Sequence, residues 1–156
     1  MNIVLHEPEI PYNTGNIGRT CVASGSVLHL IKPLGFFTDD KSLKRAGMDY
    51  WHLLDVRYYD GFEDFLTKNN RPPLILTTTK GSRCYTDIQY GENAYIMFGK
   101  ESAGIPLEIR EQYPDTCIRV PMVSDARSLN LSNTVAIVLY EALRQQGFLG
   151  LFPSVL

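Results

Sequence analysis

Short, wholly apolar runs separated by polar segments rich in glycine and proline recur along the chain. Asn2–Leu5, Val27–Ile31, Leu74–Thr78 and Tyr95–Phe98 favour β structure and show no polar alternation, which predicts strands buried on both faces. Weaker runs predict further strands over Leu53–Tyr58 and Ile118–Val120. Helices are predicted between them. The first spans Thr14–Ala23, with Asn13 or Thr14 as N-cap and Gly25 as its stop. Others cover Lys41–Ala46 and Phe62–Lys68, and a long one runs from Leu131 to a stop at Gly147. Alternating helices and fully apolar strands imply an α/β fold with a mostly parallel sheet and helices on both faces. No linker, repeat or low-complexity segment divides residues 1–156, so a single domain is expected. Within the last helix, Thr134–Leu143 is apolar around nearly its whole circumference and needs cover on more than one side. A second copy of the chain is the expected cover; burial inside one chain is the alternative.

Composition narrows the function classes. The 156 residues are 44% hydrophobic and 21% charged, the balance of a globular protein and not of a disordered one. The net charge is −2, and residues 1–80 carry nine basic and nine acidic groups against six and eight beyond. No segment is built as an electrostatic arm, so any nucleic-acid contact must use a local patch. The apolar run Val135–Tyr140 is too short to span a bilayer, and Met1–Val4 lacks the basic start of a secretion signal. Cys21, Cys84 and Cys117 are widely spaced without a C-x-x-C, as expected of reduced thiols in a cytoplasmic protein.

Several familiar sites are absent from the sequence. Gly99-Lys100 is followed by Glu101 and position 94 is Ala, so there is no P-loop; neither G-x-G-x-x-G nor G-x-S-x-G occurs. His6-Glu7 opens like a zinc-protease helix, but Pro8 breaks it and Ile10 stands where the second histidine belongs. His6, His29 and His52 are isolated, His29 reads as a packed core residue, and no metal site is assigned.

Three clusters carry possible chemistry. Asn13-Thr-Gly-Asn-Ile-Gly-Arg19 is a polar, glycine-rich helix entry after the first strand. Phe98-Gly-Lys-Glu-Ser-Ala-Gly-Ile-Pro106 follows an apolar strand, where glycines flanking Glu101 allow close backbone approach to a ligand. Ile118-Arg-Val-Pro-Met122 and Ser128-Leu-Asn-Leu-Ser-Asn133 lead into the long helix; their small polar residues suit either a pocket wall or helix caps. Each cluster alone also reads as ordinary capping and turn chemistry.

Together, and in this order, the clusters resemble the three motifs of the SpoU branch of the SPOUT RNA methyltransferases, over almost the whole chain. The opening Ile3–Pro11 and the segment Asp39–Tyr50 resemble more narrowly its short bacterial tRNA 2′-O-methyltransferases, which modify the wobble nucleotide. Lys100 and Ala103 stand where many such relatives carry Pro and Arg. The resemblance implies an α/β domain with a C-terminal deep trefoil knot and no separate RNA-binding domain. It implies S-adenosylmethionine as methyl donor, held by Thr77, Gly99, Gly104, Val120, Met122, Ser128 and Leu129, with no metal. Arg19 is the implied catalytic residue, as base or as positioner of phosphate and alkoxide; Asn13, Glu101 and Asn133 support it. Lys41, Lys44, Arg45 and Arg127, with Arg83, are the expected RNA contacts. The implied partners are tRNA and a second copy in a homodimer, and the implied target is cytidine or modified uridine at position 34 of leucine tRNAs. Another RNA position, a non-catalytic S-adenosylmethionine or RNA binder, and a different nucleotide-binding enzyme stay open at this point.

Overall fold

The computed structural model describes residues 1–38 and 50–151. Its strands are β1 (Asn2–His6), β2 (Val27–Ile31), β3 (Val56–Tyr59), β4 (Leu74–Thr77), β5 (Arg83–Cys84), β6 (Tyr95–Phe98) and β7 (Cys117–Arg119). The helices are α1 (Pro11–Ser24), α2 (Phe62–Lys68), α3 (Leu107–Arg110) and α4 (Leu131–Gln145), with 3₁₀ turns at Trp51–Leu53 and Pro114–Thr116. The strands form one sheet in the order β3-β2-β1-β6-β4-β7-β5, and every ladder is parallel.

The apolar runs become strands because both faces of the sheet are covered. Along β1, Ile3 and Leu5 point into a core shared with Ile17 and Cys21 of α1 and Val135, Val138, Leu139 and Ala142 of α4. Val4 points the other way, into a second core with Phe65 and Leu66 of α2 and Ile109 of α3. That two-residue alternation between two dry layers is why no polar position appears in the run. His29 is fully buried in β2, as its position suggested; its ring nitrogens meet Tyr59 Oη at 2.7 Å and Asn2 Oδ1 at 3.1 Å. Burial, helped by the nearby Arg57 cation, lowers its pKa to about 4.

The structure corrects several boundaries. α1 begins at Pro11, not Thr14, so neither Asn13 nor Thr14 is its N-cap. Pro is favoured at the first helical position, and Ile10 at the cap offers no side-chain acceptor. The capping acceptor comes instead from a distant loop described below. Gly25 does end α1, with φ of 63°. Trp51–Leu53 forms a 3₁₀ turn, so β3 starts only at Val56, and β5 is an unanticipated two-residue edge strand on β7. The helix expected at Lys41–Ala46, with the RNA candidates Lys41, Lys44 and Arg45, lies outside the described residues.

The most apolar helix is covered largely by its own chain. In α4, Val135, Val138, Leu139, Ala142 and Leu143 are buried against α1 and the sheet, while Ile137 and Tyr140 remain 37% and 43% exposed. Its open stripe is therefore Asn133, Ile137, Tyr140 and Arg144, narrower than the sequence pattern suggested. No helix among the described residues is long and apolar enough to cross a membrane.

Candidate functional site

The strands β6, β4 and β7 are neighbours, so the loops leaving their C-terminal ends lie side by side. They enclose a cavity of about 520 Å³. Parallel α/β sheets bind ligands at this edge because the loops there converge while the strands fix their bases. Thr78 N–H donates to Ile118 O at 2.9 Å, tying the β4 loop to β7. The β6 loop closes on itself through Gly104 N–H to Lys100 O at 2.8 Å. At Gly99 a Cβ would lie 2.0 Å from the Gly104 carbonyl carbon, so the glycine serves contact of the loop with itself before any contact with a ligand. Gly104 supplies the left-handed turn, with φ of 71° and open space where a side chain would stand.

Of the residues singled out in the sequence, Thr77, Gly99, Gly104, Val120, Met122, Ser128 and Leu129 all line this cavity, as do Asn13, Glu101 and Arg127. The floor is mixed: Val120, Met122, Leu129 and Ile105 are apolar, and Thr77, Thr78 and the loop backbone are polar. Thr77 Oγ1 is buried without a hydrogen-bond partner. An orphaned hydroxyl in a cavity wall is a costly feature that a bound polar group would relieve.

A polar relay joins the three clusters. The Glu101 carboxylate accepts from Glu9 N at 2.8 Å, Ile10 N at 3.2 Å and Asn13 Nδ2 at 3.0 Å. It thus supplies the missing cap of α1 and sits at the positive end of that helix. Asn13 Oδ1 accepts from Asn130 Nδ2 at 3.0 Å, and Asn130 Oδ1 accepts from Ser132 N at 2.9 Å and Asn133 N at 3.4 Å, capping α4. Two further contacts pin the β1 loop to the β6 loop. Ser102 donates from N at 2.9 Å and Oγ at 2.8 Å to Glu9, whose pKa these bonds lower. Lys100 Nζ lies 2.9 Å from Glu7 Oε2, bracing the β6 loop against the end of β1.

Two expected members stand elsewhere. Asn133 is exposed on α4 and does not line the cavity; Asn130, three residues earlier, occupies the place in the relay. Arg19 is exposed on α1 and does not line the cavity of its own chain. Six residues beyond Asn13 it lies ~9 Å further along the helix and on a different face. Its guanidinium stacks on the Tyr50 ring, 4.8 Å from the centroid, and the Tyr50 hydroxyl donates to Gly15 O. Arg83 is also committed within the chain, donating to Asp115 O at 3.2 Å and Asp87 O at 2.6 Å. Lys80, Ile10 and Thr134 line the cavity without having been singled out. Their positions beside Thr77, α1 and Asn130 were the available signal.

The model of the SpoU rRNA methylase family matches residues 1–140. The chain belongs to that family. A tRNA (cytidine(34)-2′-O)-methyltransferase of Escherichia coli strain K12 is 48% identical to this SpoU chain over 151 residues, covering 96% of both proteins. A solved structure reported for insights into the 2-OH methylation of C/U34 on tRNA is 40% identical, with TM-score 0.86, over 94% of this chain and 96% of that one. An AdoMet-bound rRNA methyltransferase of Sinorhizobium meliloti is 28% identical with TM-score 0.78; 92% of the SpoU chain matches 55% of that larger chain.

The relay makes a sharp prediction for this SpoU member. Asn13→Asp places a second carboxylate against Glu101 and removes the amide donor, losing a charged hydrogen bond worth ~1.5–3 kcal/mol. Thermal unfolding should begin roughly 3–12 °C lower. Adding Glu101→Gln restores one donor between the two positions, so the double variant should regain part of the loss. A double variant no better than the single would show that the two residues do not act as a pair.

Proposed function

We propose that this protein is an S-adenosylmethionine-dependent tRNA 2′-O-methyltransferase acting on the ribose of cytidine or uridine at wobble position 34. The observation that carries the reading is the strand-end cavity, lined by Thr77, Gly99, Gly104, Val120, Met122, Ser128 and Leu129, with the Thr77 hydroxyl unpartnered. Support comes also from the 48% identical Escherichia coli relative, named for this reaction, and from the AdoMet-bound family structure.

The residues present suit that donor. Val120, Met122 and Leu129 offer apolar surface to a flat purine, while Thr77 and the backbone of the β6 and β7 loops offer hydrogen bonds to its polar edges. The donor supplies a methyl group already activated on a sulfonium. What remains for the protein is to bring the ribose hydroxyl into line and help it lose its proton. The planar guanidinium of Arg19 suits orienting the ribose and its phosphate and offsetting charge on the reacting oxygen.

The same reading makes the working unit a homodimer. Arg19 lies outside its own cavity, and Tyr12 and Tyr140, 66% and 43% exposed, flank it on the open faces of α1 and α4. Pairing these faces would bring Arg19 of one copy toward the donor of the other and compose the tRNA site from both copies. In the same picture the C-terminal segment threads the loops between β4 and β7 as a trefoil knot, and the protein works in the cytoplasm, where tRNA is found.

Nucleoside mass spectrometry tests the function. Transfer RNA from a strain lacking this protein should lose 2′-O-methylation at position 34 and regain it with the purified protein and donor; intact modification would overturn the reading. Tyr140→Asp, on the open face of α4, should lower both the sedimenting mass and the activity while the chain stays folded. A fully active monomer would refute the shared site. Val138 is unsuited to this test because it is fully buried inside the chain.

A further inference from the structure

The cations among the described residues divide into two groups. Lys32, Arg57, Lys68, Arg71, Lys100 and Arg144 each form an ion pair. Arg83 and Arg110 donate to backbone carbonyls, and Arg19 stacks on Tyr50. Among the described residues, only the side chains of Lys80, Arg119 and Arg127 have no such partner, and all three line one cavity. This hollow, of about 310 Å³, lies beside the larger one, and Lys80 and Arg127 border both. No carboxylate lines it; the nearby Asp125 carboxylate accepts from Ser124 Oγ at 3.4 Å. In a chain of net charge −2, three uncompensated cations around a concavity without a carboxylate make a local positive field.

We propose that this second cavity is the subsite for an RNA phosphodiester next to the target ribose. The inference rests on the reading of the reaction given above. Chemistry favours this ligand: the 3′-phosphorus is joined to the 2′-oxygen through C2′, C3′ and O3′, so a ribose presented at the first cavity brings its phosphate to an adjoining one. Planar guanidinium groups such as Arg119 and Arg127 bind phosphate oxygens in pairs, and Lys80 adds a point charge at the shared wall. Arg127 emerged from the sequence as a basic residue near a motif. Arg119 and Lys80 emerge only once β7 and the β4 loop are adjacent in space. The subsite makes Arg119 a positioning residue for the acceptor strand, independent of the donor.

Arg119→Ala and the double change Lys80→Ala/Arg119→Ala, in the full-length protein, test the assignment. Both positions are exposed, so the fold should hold. The expected result is a KM for tRNA raised about five- to twentyfold in the single variant. The slope of log binding constant against log salt should also flatten by about 0.7–0.9 per lost contact. In Arg119→Ala, a residue outside the donor cavity, the donor Kd should stay unchanged, and Arg119→Lys should recover part of the binding. An unchanged KM and salt slope in the double variant would overturn the proposal. So would weakened donor binding with unchanged tRNA affinity, since the cations would then serve the donor's own carboxylate. If the wild-type protein transfers no methyl to tRNA, the reading of the reaction fails separately. The cavity is then judged on a pentaribonucleotide, whose binding must weaken in both variants for the proposal to stand.

Discussion

Arg19→Ala is expected to leave donor affinity unchanged and to reduce methyl transfer by about 10²–10⁴-fold, the usual worth of a residue that manages charge at the reacting oxygen. The separation of effects follows from geometry. Arg19 does not line the cavity of its own chain, and its proposed work is on the ribose and not on the donor. Complementation gives the stricter test. Mixed dimers of Arg19→Ala with a cavity-blocked Leu129→Arg chain contain one intact site when the arginine acts across the interface, and none when it acts within its own chain. Co-expression should therefore restore roughly a quarter of wild-type activity from two inactive parents. No restoration would place Arg19 with its own cavity and remove the reason for a shared site.

Gly99→Ala is expected to have the largest effect on stability of any single methyl addition at this edge. The new Cβ would stand 2.0 Å from Gly104 C and 2.2 Å from Ile105 N, and both are backbone atoms that no rotamer change can move. Relief requires pulling the β6 loop away from the strand end, so soluble folded protein should be scarce and its melting temperature lower by more than ~10 °C. Gly104→Ala is the internal control. Its Cβ meets nothing within 4 Å, but φ of 71° costs an L-residue ~1–2 kcal/mol, which predicts a fall of only a few degrees. Equal destabilisation of the two variants would argue against the packing described for this loop.

The strands were legible where burial on both faces leaves an uninterrupted apolar run, as in β1, β2, β4 and β6. The start of α1 was not, because its cap is Glu101, a residue 92 positions from Glu9 whose amide it accepts. Local capping rules look a few residues away; this cap arrives through the tertiary fold. The same cause misassigned Asn13, which has the right chemistry for a cap but spends both ends of its amide on Glu101 and Asn130. Motif resemblance located the cavity lining well because strand-end loops are contiguous in sequence. It favoured Asn133 over Asn130 because two asparagines three residues apart differ only in which one the helix start selects. The second cavity was invisible for a simpler reason: Lys80 and Arg119 are isolated cations until β4 and β7 pair.

The strand order also bears on how the chain is made. β1 has two neighbours: β2, which begins at Val27, and β6, where Tyr95 meets Asn2. On the ribosome β1, β2 and β3 emerge first and can pair, but the inner edge of β1 stays open until β6 follows, some ninety residues after β1. Its unpaired backbone N–H and C=O groups are a ready template for another nascent chain throughout that interval. Pairing over such separations also carries a large loop-closure cost, so the central ladder should form late and slowly. Production yield, more than the stability of the finished molecule, should therefore respond to translation speed, to growth temperature and to chaperones that shield the half-built sheet.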